Sequence, residues 1–284
     1  MKKERGISRR LFLTTLGAAP FCAALPITLP ADKHIPVGLE LYSVREALKK
    51  DLMTTVADVA RMGYECVEFY APYYEWTLDY AKTVRAKLDE LNLRCYSTHN
   101  SIESFTDKGI NKAIELNQAL GAKYIVLAHP GEPKSVHDWG NVISMLNMAN
   151  DAFAGYKMHA GYHNHDLEWR PVEGRVPMEM IAAGTDEKIM LQLDVGTCLA
   201  AGSDPVRWVK RNPGRIRSMH CKDWSPEKEY RVLFGEGAVP WKKLFAAAES
   251  AGGIEYYLIE QEGSDYSELE TARRCLTAFR EVHG

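Results

Sequence analysis

The sequence has no CxxC pair, no low-complexity tract and no Gly-rich loop after its first apolar run. It also lacks an uninterrupted apolar stretch long enough to span a bilayer: the run from Leu11 to about Leu29 is broken by Gly17, Pro20 and Pro26, which argues against a membrane anchor. The missing dinucleotide loop weakens a nucleotide-binding open sheet, because Gly235-Glu236-Gly237 comes late in the chain. Cysteine is too sparse and too irregularly spaced for a disulfide framework. Cys66, Cys95, Cys198, Cys221 and Cys275 sit mostly in apolar, strand-like runs and read as buried thiols.

The first 31 residues differ from the rest. Lys2, Lys3, Arg5, Arg9 and Arg10 precede the broken apolar run, and Ser8-Arg9-Arg10-Leu11-Phe12-Leu13 resembles a twin-arginine export signal. Such a signal implies a periplasmic protein, translocated already folded, with no membrane attachment once it is removed. Removing residues 1–31 leaves 30 basic against 37 acidic residues, a formal charge of −7. That charge disfavours nucleic acid as a partner. Residues 32–284 contain no linker and read as one domain; homo-oligomerisation is compatible with the sequence.

From residue 35 onward, short apolar runs alternate with longer amphipathic ones. Strands are expected at 35–43, 64–70, 94–100, 124–130, 158–165, 189–196, 216–224 and 256–262. Helices are expected at 45–62, 78–92, 108–120, 137–156, 177–183, 205–212, 241–251 and 267–283, with Gly63, Gly121, Gly184, Gly214 and Gly252 as C-caps. Eight such units predict an α/β chain closed into a single (β/α)8 TIM barrel.

Active sites of these barrels lie at the C-terminal strand ends, and here every strand ends in polar groups. In order they are Glu40 and Tyr42; Glu68 and Tyr70; His99; His129; His163 and His165; Gln192 and Asp194; His220 and Lys222; Glu260 and Glu262. Strands buried in a parallel sheet normally read as apolar runs. So many ionisable groups on one rim are costly to bury unless they pair or hold a metal. His163 and His165 share a strand face by their two-residue spacing. Asp194, His220 and Glu260 come from the last three strands and, with one ligand from strand five, would surround a divalent cation. The oxygen and nitrogen donors suit Mn, Co, Mg or Zn. Lys222 would hold a substrate oxygen or pair with Asp194 or Glu262.

Gly38-Leu39-Glu40-Leu41-Tyr42-Ser43-Val44-Arg45, Tyr162-His163-Asn164-His165-Asp166, Leu193-Asp194-Val195-Gly196, His220-Cys221-Lys222-Asp223 and Gly235-Glu236-Gly237 occur in that order. Together they resemble the sugar phosphate isomerase/epimerase group of the xylose-isomerase-like barrels, over essentially the whole chain after the signal. The resemblance implies metal ligands at Asp194, His220 and Glu260, with the strand-five position on His163 or nearby. It also implies a sugar or glycoside substrate and a metal-dependent isomerase or epimerase. The chemistry would be proton abstraction beside a carbonyl by Glu260 or His163, through an enediolate that the metal stabilises. His99, His129, His165, Glu40 and Lys222 would bind hydroxyls or relay protons, and Tyr42, Tyr70, Trp76 and Trp224 would pack on the sugar. Epimerases of the group typically end strand five in Glu, whereas this chain has His-Asn-His, with Glu168 further along the loop. A histidine there would serve as ligand, base or acid for a departing group. β-Elimination by a lyase or dehydratase acting on a keto-sugar or 3-keto-glycoside is therefore the alternative outcome.

Overall fold

Strand and helix alternate from Val37 to the C-terminus because each apolar run is too short for a helix and each amphipathic run too long for a strand. In the computed structural model, residues 34–284 are described; the expected export signal at 1–31 lies outside the described residues. The strands are β1 (Val37–Glu40), β2 (Cys66–Phe69), β3 (Arg94–Ser101), β4 (Tyr124–His129), β5 (His159–His163), β6 (Met190–Asp194), β7 (Ser218–Cys221) and β8 (Tyr256–Ile259). They pair in chain order, all parallel, and β8 closes on β1. The protein is a single (β/α)8 barrel.

The period-two alternation of each strand sorts its side chains into two cores. Leu39, Val67, Ile125, Leu127, Leu191, Leu193, Tyr257 and Ile259 point out and join the helix faces in one large apolar cluster. Full burial of each such side chain stabilises by roughly 1.5–3 kcal/mol. Cys66, Tyr124, Val126, Met190, Tyr256 and Leu258 form a separate small cluster that fills the barrel interior. Two residues further along stand Glu68 and Gln192, still on their strands, and Glu260, one residue past the end of β8. The inner file therefore changes from apolar to polar as it approaches the C-terminal mouth.

Several boundaries differ from expectation. The strands stop at their last ladder pairing, so Tyr70, His165, Lys222, Glu260 and Glu262 stand on the loops just beyond, and Tyr42 stands in the short 3-10 helix Leu41–Val44 that follows β1. The helix expected at 45–62 breaks at Asp51, which is extended (φ −158°) and caps the helix Leu52–Met62 by accepting from Thr54 N–H. Gly63 and Gly121 are left-handed helix caps. The other three glycines are not: Gly184 is the last residue of the helix Pro177–Gly184, Gly214 follows a helix capped by Asn212, and Gly253 rather than Gly252 takes the left-handed turn. A short helix, Val195–Ala200, begins where the sixth strand was expected to continue. The five cysteines of the described residues are buried and free. No described helix is long and apolar enough to cross a membrane.

Candidate active site

The stretch Gly161 to Asp166 divides its side chains by the same alternation. Gly161 faces inward, where an added Cβ would stand 3.0 Å from Val126 Cγ2 and 3.2 Å from Met190 Cε. Tyr162 faces outward and its hydroxyl donates to Glu168 Oε1 at 2.6 Å. His163 ends β5 facing inward, opposite Gln192 of β6. Glu168 is buried, and its Oε2 accepts from His165 N–H at 2.7 Å. Glu168 is thus an anchor for the loop that carries His165 and takes no place on the cavity wall.

His163, Asp194, His220 and Glu260 converge. All four are buried, and their ligand-type atoms lie within 4.8 Å of one another. Asp194 pairs with His220 across β6 and β7. Its Oδ1 accepts from Thr197 N–H at 2.9 Å and so caps the following helix. Its Oδ2 is buried without a hydrogen-bond partner, 3.9 Å from His163 Nε2 and 3.7 Å from Lys222 Nζ. His220 lies between two carboxylates, Nδ1 at 2.6 Å from Glu260 Oε2 and Nε2 at 2.8 Å from Glu68 Oε2. A buried oxygen without a partner, ringed by imidazole and carboxylate atoms, suits a divalent cation of hard or borderline character. The donor set is therefore a chemically consistent metal site.

Charge in the site is strongly ordered. Burial, aided by the charges of His220, His99, His165 and Lys222, drives His163 well below the usual histidine range, leaving it neutral and its lone pair free to ligate. Burial would also lower His220, but hydrogen bonds and charge from Glu260 and Glu68 raise it well above that range. Burial raises Asp194, opposed by the Lys222 charge. Glu260 is held low against its own burial by Lys222 and His220. Lys222 stays charged because Glu260, Asp194 and Glu262 outweigh its desolvation.

Above this cluster opens a cavity of about 330 Å³. His163 and Glu260 reach it from the cluster, and Glu40, Tyr42, His99, His129 and His165 line it. Glu40 is buried, with Oε2 accepting from Tyr42 N–H at 2.7 Å and Oε1 unpartnered. Tyr42 is held between the Arg45 guanidinium, 4.5 Å above its ring, and the Tyr70 ring, which lies perpendicular to it with centroids 5.3 Å apart. The His129 and His165 rings lie 6.2 Å apart at the mouth.

Lys222 is buried, and its Nζ packs on Glu262, on Glu260 at 3.4 Å and on Asp194 at 3.7 Å, the ion pairing that was one of its two expected roles. One expectation needs correction: Trp76 and Trp224 are absent from the cavity wall. Trp76 instead packs edge-on against Phe69 and Tyr80. The sequence reading missed the work of Asn164, which grips Asp194, and of Glu68 and Gln192, which lie beneath the histidines. For the latter two the signal was present, since both occupy inward positions within two residues of a strand end.

Barrel closure and a mixed carboxylate–imidazole cluster at the C-terminal mouth define the class: a (β/α)8 protein with a candidate divalent-metal site. The profile of the xylose isomerase-like TIM barrel family matches residues 56–281, and the chain belongs to that family. It is 25% identical over 200 residues to the inosose dehydratase of Geobacillus thermodenitrificans, a match covering 58% of this chain and 66% of the relative. The chain thus spans just under two thirds of the length of that curated relative. A sugar phosphate isomerase/epimerase from Parabacteroides distasonis shares the fold with a TM-score of 0.74 at 24% identity, over 89% of this chain and 97% of that one. An IOLI protein with a binding zinc atom superposes with a TM-score of 0.69 at 19% identity, over 87% and 98% of the two chains.

Proposed function

We propose that this protein is a divalent-metal-dependent sugar isomerase or epimerase that removes a proton beside a substrate carbonyl. The observation that carries this reading is the convergence of His163, Asp194, His220 and Glu260 beneath an open cavity of about 330 Å³. The zinc held by the IOLI protein of the same fold supports it. A bound divalent cation would supply positive charge to stabilise the enediolate formed after proton loss. Glu260 reaches the cavity as a carboxylate and is the proton acceptor in this scheme. His163, with Nδ1 near Gln192 and Nε2 toward Asp194, acts as a ligand. His99, His129, His165 and Glu40 bind hydroxyls, and Tyr42 offers its ring to the apolar face of the sugar.

The substrate is an unphosphorylated sugar or glycoside. Among the described residues no lysine or arginine lines the cavity, while Glu40, Glu260 and Glu262 do. A phosphate there would meet carboxylates without a cationic clamp. The export signal expected at 1–31 would place the protein in the periplasm, which fits such a substrate and is checked by cell fractionation. Elimination by a lyase or dehydratase is the second reading, favoured by the inosose dehydratase relative and by the imidazoles of His129 and His165 at the mouth. Either histidine could protonate a leaving group.

Candidate sugars incubated with the metal-loaded protein in deuterated water test the scheme. Exchange at the carbon beside the carbonyl is expected, and it should disappear on chelation and in Glu260→Gln. Exchange that survives both overturns the proposal. Product stereochemistry, carbonyl position or a released group distinguishes epimerisation, isomerisation and elimination.

A further inference from the structure

Below the ligand cluster, Glu68 and Gln192 form a second polar layer in which every acceptor is fixed. Both side chains are fully buried. Glu68 Oε1 accepts from Gln192 Nε2 at 2.9 Å and from the Ser97 hydroxyl. Glu68 Oε2 lies 2.8 Å from His220 Nε2 and 3.1 Å from His99 Nε2. Gln192 Oε1 lies 3.1 Å from His163 Nδ1 and 2.7 Å from His99 Nε2. The Gln192 amide can point only one way, because the reversed orientation would set its oxygen against the Glu68 carboxylate. An ionised carboxylate and an amide oxygen only accept hydrogen bonds. The hydrogens must therefore sit on the histidines: on Nδ1 of His163, and on Nε2 of His220 and His99.

We propose that Glu68 and Gln192 are positioning residues that set three histidines in defined tautomers: His163 offers Nε2 to the cation, His220 offers Nδ1, and His99 presents a bare Nδ1 to the cavity. The first two assignments rest on the metal reading above; the third does not. His163 Nε2 faces Asp194 Oδ2 at 3.9 Å. Without a cation, His220 also donates from Nδ1 to Glu260 Oε2 at 2.6 Å; a cation between these two groups would take the place of that one hydrogen, while Glu68 keeps the hydrogen on Nε2. His99 lines the cavity, and its contacts with Gln192 and Glu68 both run through Nε2. A bare Nδ1 there accepts a hydrogen bond from a substrate hydroxyl. The two ligating imidazoles thus use opposite nitrogens, and one carboxylate–amide pair selects both. Partners of this kind fix the ring and raise ligand basicity, and their loss typically costs about 10–100-fold in metal affinity.

The test uses the full-length protein with ¹⁵N-labelled histidine, loaded with zinc alone. Long-range ¹H–¹⁵N correlation spectra report which ring nitrogen bears hydrogen and which is shifted by zinc, with assignments from single His→Gln variants. Hydrogen is expected on Nδ1 of His163 and on Nε2 of His220 and His99. Hydrogen on the other nitrogen of His163 or His220 overturns the inference, and this spectrum of the wild-type protein needs no Glu68 or Gln192 variant to fold. In parallel, zinc affinity is measured by competition with a chromophoric chelator. Glu68→Gln and Gln192→Met are each expected to weaken zinc binding about 10–100-fold. Variants that match wild type within about twofold overturn this inference while leaving the metal site standing. Wild-type protein that takes up no zinc, manganese or cobalt overturns the metal site itself, and the two ligand assignments with it.

Discussion

Asn164 grips the main chain of Asp194 at two points, its Oδ1 accepting from Asp194 N–H at 3.0 Å and its Nδ2 donating to the Asp194 carbonyl at 3.2 Å. Nδ2 also reaches Thr197 Oγ1 at 3.0 Å, and Thr197 N–H in turn holds Asp194 Oδ1. The middle residue of His-Asn-His is therefore a cross-strand clamp from the end of β5 to the end of β6. With Oδ1 occupied by the cap, Oδ2 is the Asp194 oxygen left for the cluster.

Asn164→Ala should expose what the clamp contributes. Two buried backbone groups of Asp194 would lose their partners, at about 1–3 kcal/mol each. Calorimetry should show a lower melting temperature, and chelator competition a weaker affinity for zinc. A variant with an unchanged melt and unchanged affinity would show that water replaces the side chain at no cost.

The Gly235-Glu236-Gly237 turn wraps a carboxylate. Asp223 accepts from Gly235 N–H at 2.9 Å, Gly237 N–H at 3.2 Å, Val239 N–H at 3.3 Å and Trp241 Nε1–H at 2.8 Å. A Cβ on Gly237 would meet Asp223 Oδ1 at 2.1 Å and the Trp224 carbonyl oxygen at 2.6 Å. Gly237→Ala is expected to destabilise by about 1–3 kcal/mol in urea, as overpacking does. Gly263→Ala, whose added Cβ meets nothing within 4 Å, should stay within about 0.5 kcal/mol of wild type. Equal effects at both glycines would remove the steric explanation.

The alternation that made the barrel legible also made seven of the eight strands read too long, β3 (Arg94–Ser101) being the exception. Leu258, Glu260 and Glu262 keep the period of two, but the β8 ladder ends at Ile259, so pattern alone cannot locate the last pairing. The rim residues were legible because inward positions near the mouth must be polar if they serve a site. The layer beneath them was not, since Glu68 and His220 are joined only by barrel closure and lie 152 positions apart. Trp76 was misplaced for a related reason: the short helix Ala71–Glu75 carries the chain away from the mouth into an aromatic cluster that local spacing does not encode.

Lys222 neutralises carboxylates that the metal would also neutralise. It contacts Glu260, Asp194 and Glu262 from a buried position. Removing one partner of a buried ion pair typically costs about 3–5 kcal/mol. Lys222→Met should therefore lose about that much stability after chelation and less when loaded with zinc, because the cation offsets part of the exposed repulsion. Denaturation curves with and without zinc decide it, and equal losses in both states would argue that Lys222 and the cation site are electrostatically independent.

Acid should uncouple Glu68 from its histidines. Burial alone would raise this carboxyl, but the charges of His99 and His220, with hydrogen bonds from His220 and Ser97, outweigh it and hold it at about 2. An unfolded glutamate titrates near about 4.3. The folded value is the lower one, so the stabilisation is present in full above about pH 4.3 and fades as pH falls toward about 2. A shift of this size corresponds to about 3 kcal/mol. In chelator-treated protein, the stability gap between wild type and Glu68→Gln should therefore narrow between about pH 5 and about pH 3. Guanidinium melts across that interval measure the gap. Parallel curves would mean that Glu68 is not ionised against His220 in the folded protein, and that the layer beneath the ligands is held by neutral hydrogen bonds.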